Sequence, residues 1–181
     1  MTPEPLATSL TNGGDSSLSD AEFDALAGDA APDAGCVADG CSPWIWAGGS
    51  SVTNQGGVYG TLGSPAPTNV PGARYGAVAW TDAAGKFWLF GGAGDDSQAT
   101  LGELNDLWKY ASGEWTWVSG ANVIQQAGIY GTQGTPSASN APGGRQWATA
   151  SRDAAGNVWL FGNVAIDSAS QSGDLNDLWK Y

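Results

Sequence analysis

The sequence predicts an all-β chain of short antiparallel strands, arranged as two tandem copies of one unit. Three observations carry the prediction. The first is composition: 28 Gly and 10 Trp stand against one Met and no His. Gly favours tight turns, and Trp favours β-rich packing with a polar edge that needs a partner. The second is self-similarity at an offset of 71 residues, from Trp44-Ile-Trp46 to Trp115-Thr-Trp117. The third is the pattern inside one unit, where short apolar or alternating runs are separated by Gly-rich turns.

The offset holds along the whole unit without insertion or deletion. Val58-Tyr-Gly-Thr61 recurs as Ile129-Tyr-Gly-Thr132, and Asn69-Val-Pro-Gly-Ala-Arg74 as Asn140-Ala-Pro-Gly-Gly-Arg145. Asp82-Ala-Ala-Gly-Lys-Phe-Trp-Leu-Phe-Gly91 recurs as Asp153-Ala-Ala-Gly-Asn-Val-Trp-Leu-Phe-Gly162, and Leu104-Asn-Asp-Leu-Trp-Lys-Tyr110 recurs intact as Leu175–Tyr181. A match of this extent is duplication.

Four strands are expected in each unit. Tyr75–Trp80 is small and apolar and ends at the turn Asp82–Gly85. Phe87-Trp-Leu-Phe90 is fully apolar, as suits a strand covered on both faces, and stops at Gly91-Gly92. Leu104–Tyr110 alternates, with Trp108 and Tyr110 on one side, and the turn Ala111–Glu114 leads into Trp115–Val118. Four short antiparallel strands per repeat are the unit of a β-propeller blade. The strands and the repeat together give the fold class: all-β, β-propeller blades of four antiparallel strands, two repeats of 71 residues forming a partial propeller.

These residues resemble the kelch repeat, through the pair Gly91-Gly92, the Trp108/Tyr110 strand and the following Trp115, an ordered set present twice. The likeness covers residues 44–181 and is strongest to bacterial kelch-containing proteins with Trp-Thr-Trp and Leu-Asn-Asp-Leu-Trp-Lys-Tyr signatures. Two features depart from the pattern. The period exceeds the roughly 50 residues usual for kelch, and Asn163 stands where the first repeat has Gly92. Asn tolerates left-handed backbone, so the second turn is expected to survive. The excess length lies in Ser119–Gly144, a stretch of Gly, Gln, Asn, Ser and Pro that reads as a loop. Strand alternation places this loop and Ala93–Glu103 at the same end of the unit. That end is expected to carry any binding surface.

The domain boundaries follow: an acidic disordered segment at 1–43, then the repeats at 44–114 and 115–181. The net charge of −12 is concentrated in residues 1–43, which hold eight carboxylates and no Lys or Arg. A short helix over Ser19–Ala27 is conceivable there and would be marginal alone. Cys36 and Cys41, with four residues between them, lack the spacing and further ligands of a zinc site; they are read as a small local disulfide or as two thiols. The acidic balance argues against nucleic acid as a partner. No stretch is long and apolar enough to cross a membrane as a helix, and residues 1–43 show no signal peptide. An extracellular or cell-surface location is expected, as suits the bacterial relatives it resembles.

Propellers close with about 4–8 blades, more than two repeats supply. The sequence is then part of a longer chain, the simpler reading. Otherwise copies form a ring as a homo-oligomer, each lending its Trp44–Ala47 strand to a neighbour's three C-terminal strands.

No enzymatic site is evident. The lack of His removes the commonest general base and metal ligand, and with it the copper chemistry of galactose oxidase, an enzyme of kelch-type repeats. No cofactor or metal is expected. In some kelch adaptor proteins an Arg at the position of Arg74 and Arg145 lines a shallow central pocket that takes acidic peptides, and the resemblance implies the same use here. The simpler role for these arginines is a local pairing that holds the loop. Asp95, Asp96, Glu103, Asp167 and Asp174 lack calcium-loop spacing and read as solvated loop residues. Asp106 and Asp177 read as turn caps or local partners. Eight of the Trp residues fall at matched positions and suit packing between repeats, whereas Trp80 and Trp147 are unmatched and are the candidates for an exposed ring. The expected function is a non-enzymatic module that binds a protein or peptide through its long-loop end. The alternatives are a carbohydrate-binding, lectin-like propeller and a propeller scaffold within a larger enzyme.

Overall fold

The computed structural model describes residues 44–181, and among these it holds nine β-strands and no α-helix. The expectations for Ser19–Ala27, Cys36 and Cys41 lie outside the described residues. Ala47–Tyr181 forms one compact unit. Its strands are β1 (Pro65–Ala66), β2 (Arg74–Tyr75), β3 (Val78–Thr81), β4 (Phe87–Asp95), β5 (Leu101–Ala111), β6 (Glu114–Ser119), β7 (Thr149–Arg152), β8 (Val158–Ile166) and β9 (Ser172–Lys180). All pairings are antiparallel. The first sheet is ordered β1-β6-β5-β4-β2, with β3 also on β4, and the second is β7-β8-β9.

The repeat folds as its strand signals require. Asp82 closes the β3–β4 turn by accepting N–H groups of Ala84 and Lys86 on Oδ1 and the Trp88 indole on Oδ2. Asp153 does the same for β7–β8 with Asn157 and Trp159. The expected first strand, Tyr75–Trp80, is split at Gly76 into β2 and β3, both of which pair with β4. The split faces the bulge between Phe90 and Gly92. Gly92 sits there at φ 95°, and a Cβ on it would meet the Tyr75 carbonyl at 2.7 Å, so a side chain is excluded. In the second repeat Asn163 takes the same left-handed turn at φ 71°. Its Oδ1 accepts the Val164 N–H and its Nδ2 donates to the Trp147 carbonyl, which supports the strained backbone.

The two sheets stack face to face. Val78, Phe90 and Leu107 of the first bury against Leu160 of the second, with Trp80, Trp88, Ala148, Ala150 and Trp179 around them. The first sheet thus offers its Phe90 face, and the second its Leu160 face, to the other.

Two expectations are corrected. Trp44–Ala47 forms no strand, although its counterpart Trp115–Val118 lies in β6. The chemistry of the segment is the same, but β6 has β5 and β1 beside it, and strand structure is a property of the pair. Ala93–Glu103 is not a long loop: β4 runs to Asp95 and β5 resumes at Leu101. Asp96 draws the intervening residues into a tight turn by accepting the N–H groups of Gln98 and Thr100. The stretch Ser119–Gly144 is a loop, apart from its first residue in β6, and an ordered one. Ile129 bridges Ala141, and the Gly144 N–H bonds the Gln126 carbonyl at 2.8 Å. Among the described residues no helix is long and apolar enough to cross a membrane.

Candidate functional site: an exposed aromatic pair beside a buried ion-pair lock

Arg74 follows the loop that enters the first sheet and turns its guanidinium inward. Nη1 and Nη2 meet the two oxygens of Asp106 at 2.7 and 2.8 Å, while Nε and Nη1 donate to the carbonyls of Gly72 and Gly91. Asp106 also accepts the Tyr59 hydroxyl at 2.7 Å and the Trp108 indole N–H at 2.7 Å. A buried charge persists only when paired and fully hydrogen-bonded, and this carboxylate accepts four donors.

The same lock recurs in the second repeat. Arg145 meets Asp177 at 2.9 and 2.8 Å and donates to the Gly143 carbonyl, and Asp177 accepts from Tyr130 and Trp179. Burial alone would raise the Asp177 pKa, but the bonds from Arg145, Trp179 and Tyr130 outweigh it and hold the carboxyl at about 2. Burial, reinforced by the Asp177 charge, pushes the Tyr130 phenol up to about 12. Tyr59 is raised further for the same two reasons, with Asp106 as the charge. Burial would lower the Arg74 pKa, but the bond and charge of Asp106 raise it overall.

Both arginines singled out as ligand contacts are therefore committed internally. Arg74 and Arg145 are almost fully buried and hold the loop to the sheet. Asp106 and Asp177 do pair locally, each with the indole of the Trp two residues on, but each also pairs with an Arg 32 residues away. Alternation along a strand cannot reveal such a partner, although the coincidence of Arg and Asp in both copies of the repeat is a signal that could have.

The unmatched tryptophans part company. Trp80 is half-buried at the seam between the sheets, its ring parallel to Trp88 at 6.0 Å. It borders a cleft of about 430 Å³ with Leu107, Leu160, Trp179 and Pro142. Trp147 is 57% exposed. It lies three residues after the long loop, and its N–H bonds the Gly76 carbonyl across the seam at 2.7 Å. Its ring rests where a Cβ on Gly76 would be, 3.0 Å away, and tilts toward the exposed Tyr75 ring at 6.0 Å. Trp147 adopts φ 63°, a left-handed conformation unfavourable for a bulky side chain. Tyr75 and Trp147 thus form an open aromatic platform near the loop-bearing end. Polar groups flank it: the Gln146 amide reaches Glu103, which also holds Gln125, and Asn163 bonds the Trp147 carbonyl.

The acidic turn residues have local tasks. Asp96 accepts backbone N–H groups from Gln98, Thr100 and Ile124, which keep its pKa low against the opposing effect of burial. Asp167 accepts those of Ala169 and Gln171. Among the described residues no three His, Cys, Asp or Glu side chains gather as a metal centre.

No protein-family model matches the chain, and no curated protein matches it.

Proposed function

We propose that the chain is a non-enzymatic binding module of kelch-type β-propeller blades, which engages a protein or peptide through its loop-bearing end. The β3-β4-β5-β6 meander and the face-to-face stacking of a second, equivalent sheet support the blade reading. The observation that carries the binding reading is Trp147: a large ring, mostly in solvent, held in a strained backbone conformation and paired with Tyr75. Strain at an exposed aromatic is more readily explained by what the ring contacts than by packing, since it buries little. Exposed Trp and Tyr are the residues most often found as anchors in protein interfaces.

Selection of a displayed random-peptide library on the wild-type chain, with counter-selection on Trp147→Ala, tests this reading. Enriched peptides that bind wild type and lose at least tenfold in affinity on Trp147→Ala and Tyr75→Ala support it. A selection that yields no Trp147-dependent sequence sinks it.

The amide and carboxylate groups of Gln146 and Glu103 beside the platform favour a second reading, a glycan stacked on Trp147 and hydrogen-bonded at its edge. Glycan-array binding that disappears with Trp147→Ala would replace the peptide reading.

A further inference from the structure

The charges of the compact unit are sorted by end. Among the described residues, Lys86, Lys109, Arg152 and Lys180 lie at the end that carries the β3–β4 and β7–β8 turns. Lys109 and Lys180 stand opposite Trp88 and Trp159, the second residues of β4 and β8. The two remaining basic side chains, Arg74 and Arg145, are taken up by Asp106 and Asp177. The opposite end carries Asp95, Asp96, Glu103, Asp167 and Asp174 and no further Lys or Arg. That is the end of the Tyr75 and Trp147 rings.

Two of these carboxylates share a face with the rings. Tyr75, Ala93 and Glu103 stand in one row across β2, β4 and β5, and Asp95 follows Ala93 by two positions on β4. Paired residues, and residues two apart, leave a sheet on the same side. Tyr75, Glu103 and Asp95 therefore all project toward the second repeat, where Trp147 lies against Tyr75 and Gln146 reaches Glu103. Ala93 is short, so no side chain of the row separates the ring from the carboxylate. Asp95 and Glu103 are diagonal neighbours, with Cβ atoms about 7 Å apart.

Neither carboxylate meets a cation of this chain. Glu103 accepts side-chain amide N–H groups, from Gln125 and Gln146, which leave its charge unneutralised and lone pairs in reserve. Asp95 is 8% exposed, and its carboxylate takes part in no hydrogen bond or ion pair among the described residues. A buried charge without a partner opposes folding. The fold does not require it, because the same position of the second repeat is Ile166, 1% exposed. An unanswered carboxylate in that place, beside two exposed rings, points to a cation supplied from outside.

We infer that the peptide taken by the Tyr75–Trp147 platform is basic and is anchored by an arginine side chain; the inference rests on the reading of that pair as a peptide-binding site. Arginine fits every element of the site. Its guanidinium is planar, stacks on Trp and Tyr faces, and offers five N–H donors in the fork that carboxylates accept. Glu103 takes those donors at the edge of the platform. Asp95, one row away and largely out of water, acts through its charge, which is felt more strongly there than in solvent. The sorting of charge draws a basic peptide to this end and turns it from the other. An acidic peptide, the ligand that the resemblance implied for Arg74 and Arg145, meets the wrong sign here.

Nuclear magnetic resonance on the full chain labelled with nitrogen-15 tests the inference. The Trp147 indole resonance, identified by its loss in Trp147→Phe, is followed while capped heptapeptides Gly-Ser-Gly-X-Gly-Ser-Gly are added, with arginine, citrulline or glutamate at X. Citrulline keeps the shape of arginine and lacks its charge. The arginine peptide should shift the resonance to saturation, with a Kd at least tenfold below that of the citrulline peptide. The binding should weaken as salt rises from about 50 to about 500 mM, and the glutamate peptide should give no shift. Glu103→Gln is expected to weaken the arginine peptide at least fivefold. Asp95→Ile, the residue of the second repeat, should weaken it as well while raising the Tm, a combination that damage to the fold cannot produce. An arginine peptide that gives no shift, or that binds as before in both variants, overturns the inference. Citrulline or glutamate peptides that bind as tightly as arginine overturn it too, yet leave the platform reading standing. That reading fails on its own test, a library selection without Trp147-dependent peptides.

Discussion

Arg74 and Asp106, 32 residues apart, meet through two hydrogen bonds of 2.7 and 2.8 Å, with the aspartate entirely out of solvent. The pair joins the end of the entering loop to the centre of β5, and Tyr59 and Trp108 complete it. Its counterpart, Arg145 with Asp177, has the same geometry but leaves the aspartate side chain 12% exposed. Identical chemistry in two degrees of burial makes the two locks a natural comparison.

Removing one partner from a buried ion pair leaves an uncompensated charge, at a cost of about 3–5 kcal/mol. Asp106→Asn is therefore expected to destabilise the chain by that order in urea unfolding. Asp177→Asn should cost less, because water reaches the second lock. Equal losses from the two substitutions would show that burial does not set the difference.

The pH dependence follows from Asp177. Its folded pKa, about 2, lies below the value of about 3.9 for an unfolded Asp. Its contribution is therefore present in full above the unfolded value and disappears as pH falls through the folded one. Thermal unfolding followed between pH 5 and pH 2 is expected to show a falling Tm, with a smaller fall in Asp177→Asn. Tyr130 acts at the other end. Its phenol is raised to about 12, so the stability it lends is complete below about 10 and is lost as pH rises through 12.

Trp147 offers a separation of stability from binding. Trp147→Gly removes a bulky residue from a left-handed backbone and is expected to change stability by no more than about 1 kcal/mol. It should nevertheless abolish binding of any peptide selected on wild type. A loss of several kcal/mol in denaturant unfolding would instead make the ring a packing element.

Asn163 provides a test of the turn it shares with Gly92. Asn163→Gly is expected to be nearly neutral, because Gly suits φ 71° and occupies that turn in the first repeat. Asn163→Ala should destabilise by about 1–2 kcal/mol, having neither the tolerance for that backbone nor the bond to the Trp147 carbonyl. Chemical denaturation of the two variants side by side measures both.

Most of the local architecture was legible in the residues. The Asp82-Ala-Ala-Gly85 turn, the apolar β4 and the left-handed Asn163 each follow from interactions within a few positions, and a strict repeat doubles the signal. Trp147 was legible as an unmatched aromatic, although its partner Tyr75 was not, because Tyr75 touches it only across the seam between sheets. Arg74 and Asp106 were both visible yet not visible as a pair, since nothing in alternation or turn chemistry links residues that far apart.

The sequence by itself determined that residues 44–181 are built of antiparallel strands in duplicate, and that the strands turn at Asp82–Gly85, Ala111–Glu114 and Asp153–Gly156, because those outcomes rest on local backbone preference and side-chain period. The tertiary structure decided which identical residues are covered. Leu107 and Leu178 share a sequence neighbourhood, yet one is buried under the adjacent sheet and the other faces solvent. The same holds for Trp115-Thr-Trp117, a strand beside β5, and Trp44-Ile-Trp46, which has no strand structure. Burial and strand pairing are properties of two surfaces in contact, and a repeat of residues along one chain cannot fix which surfaces meet.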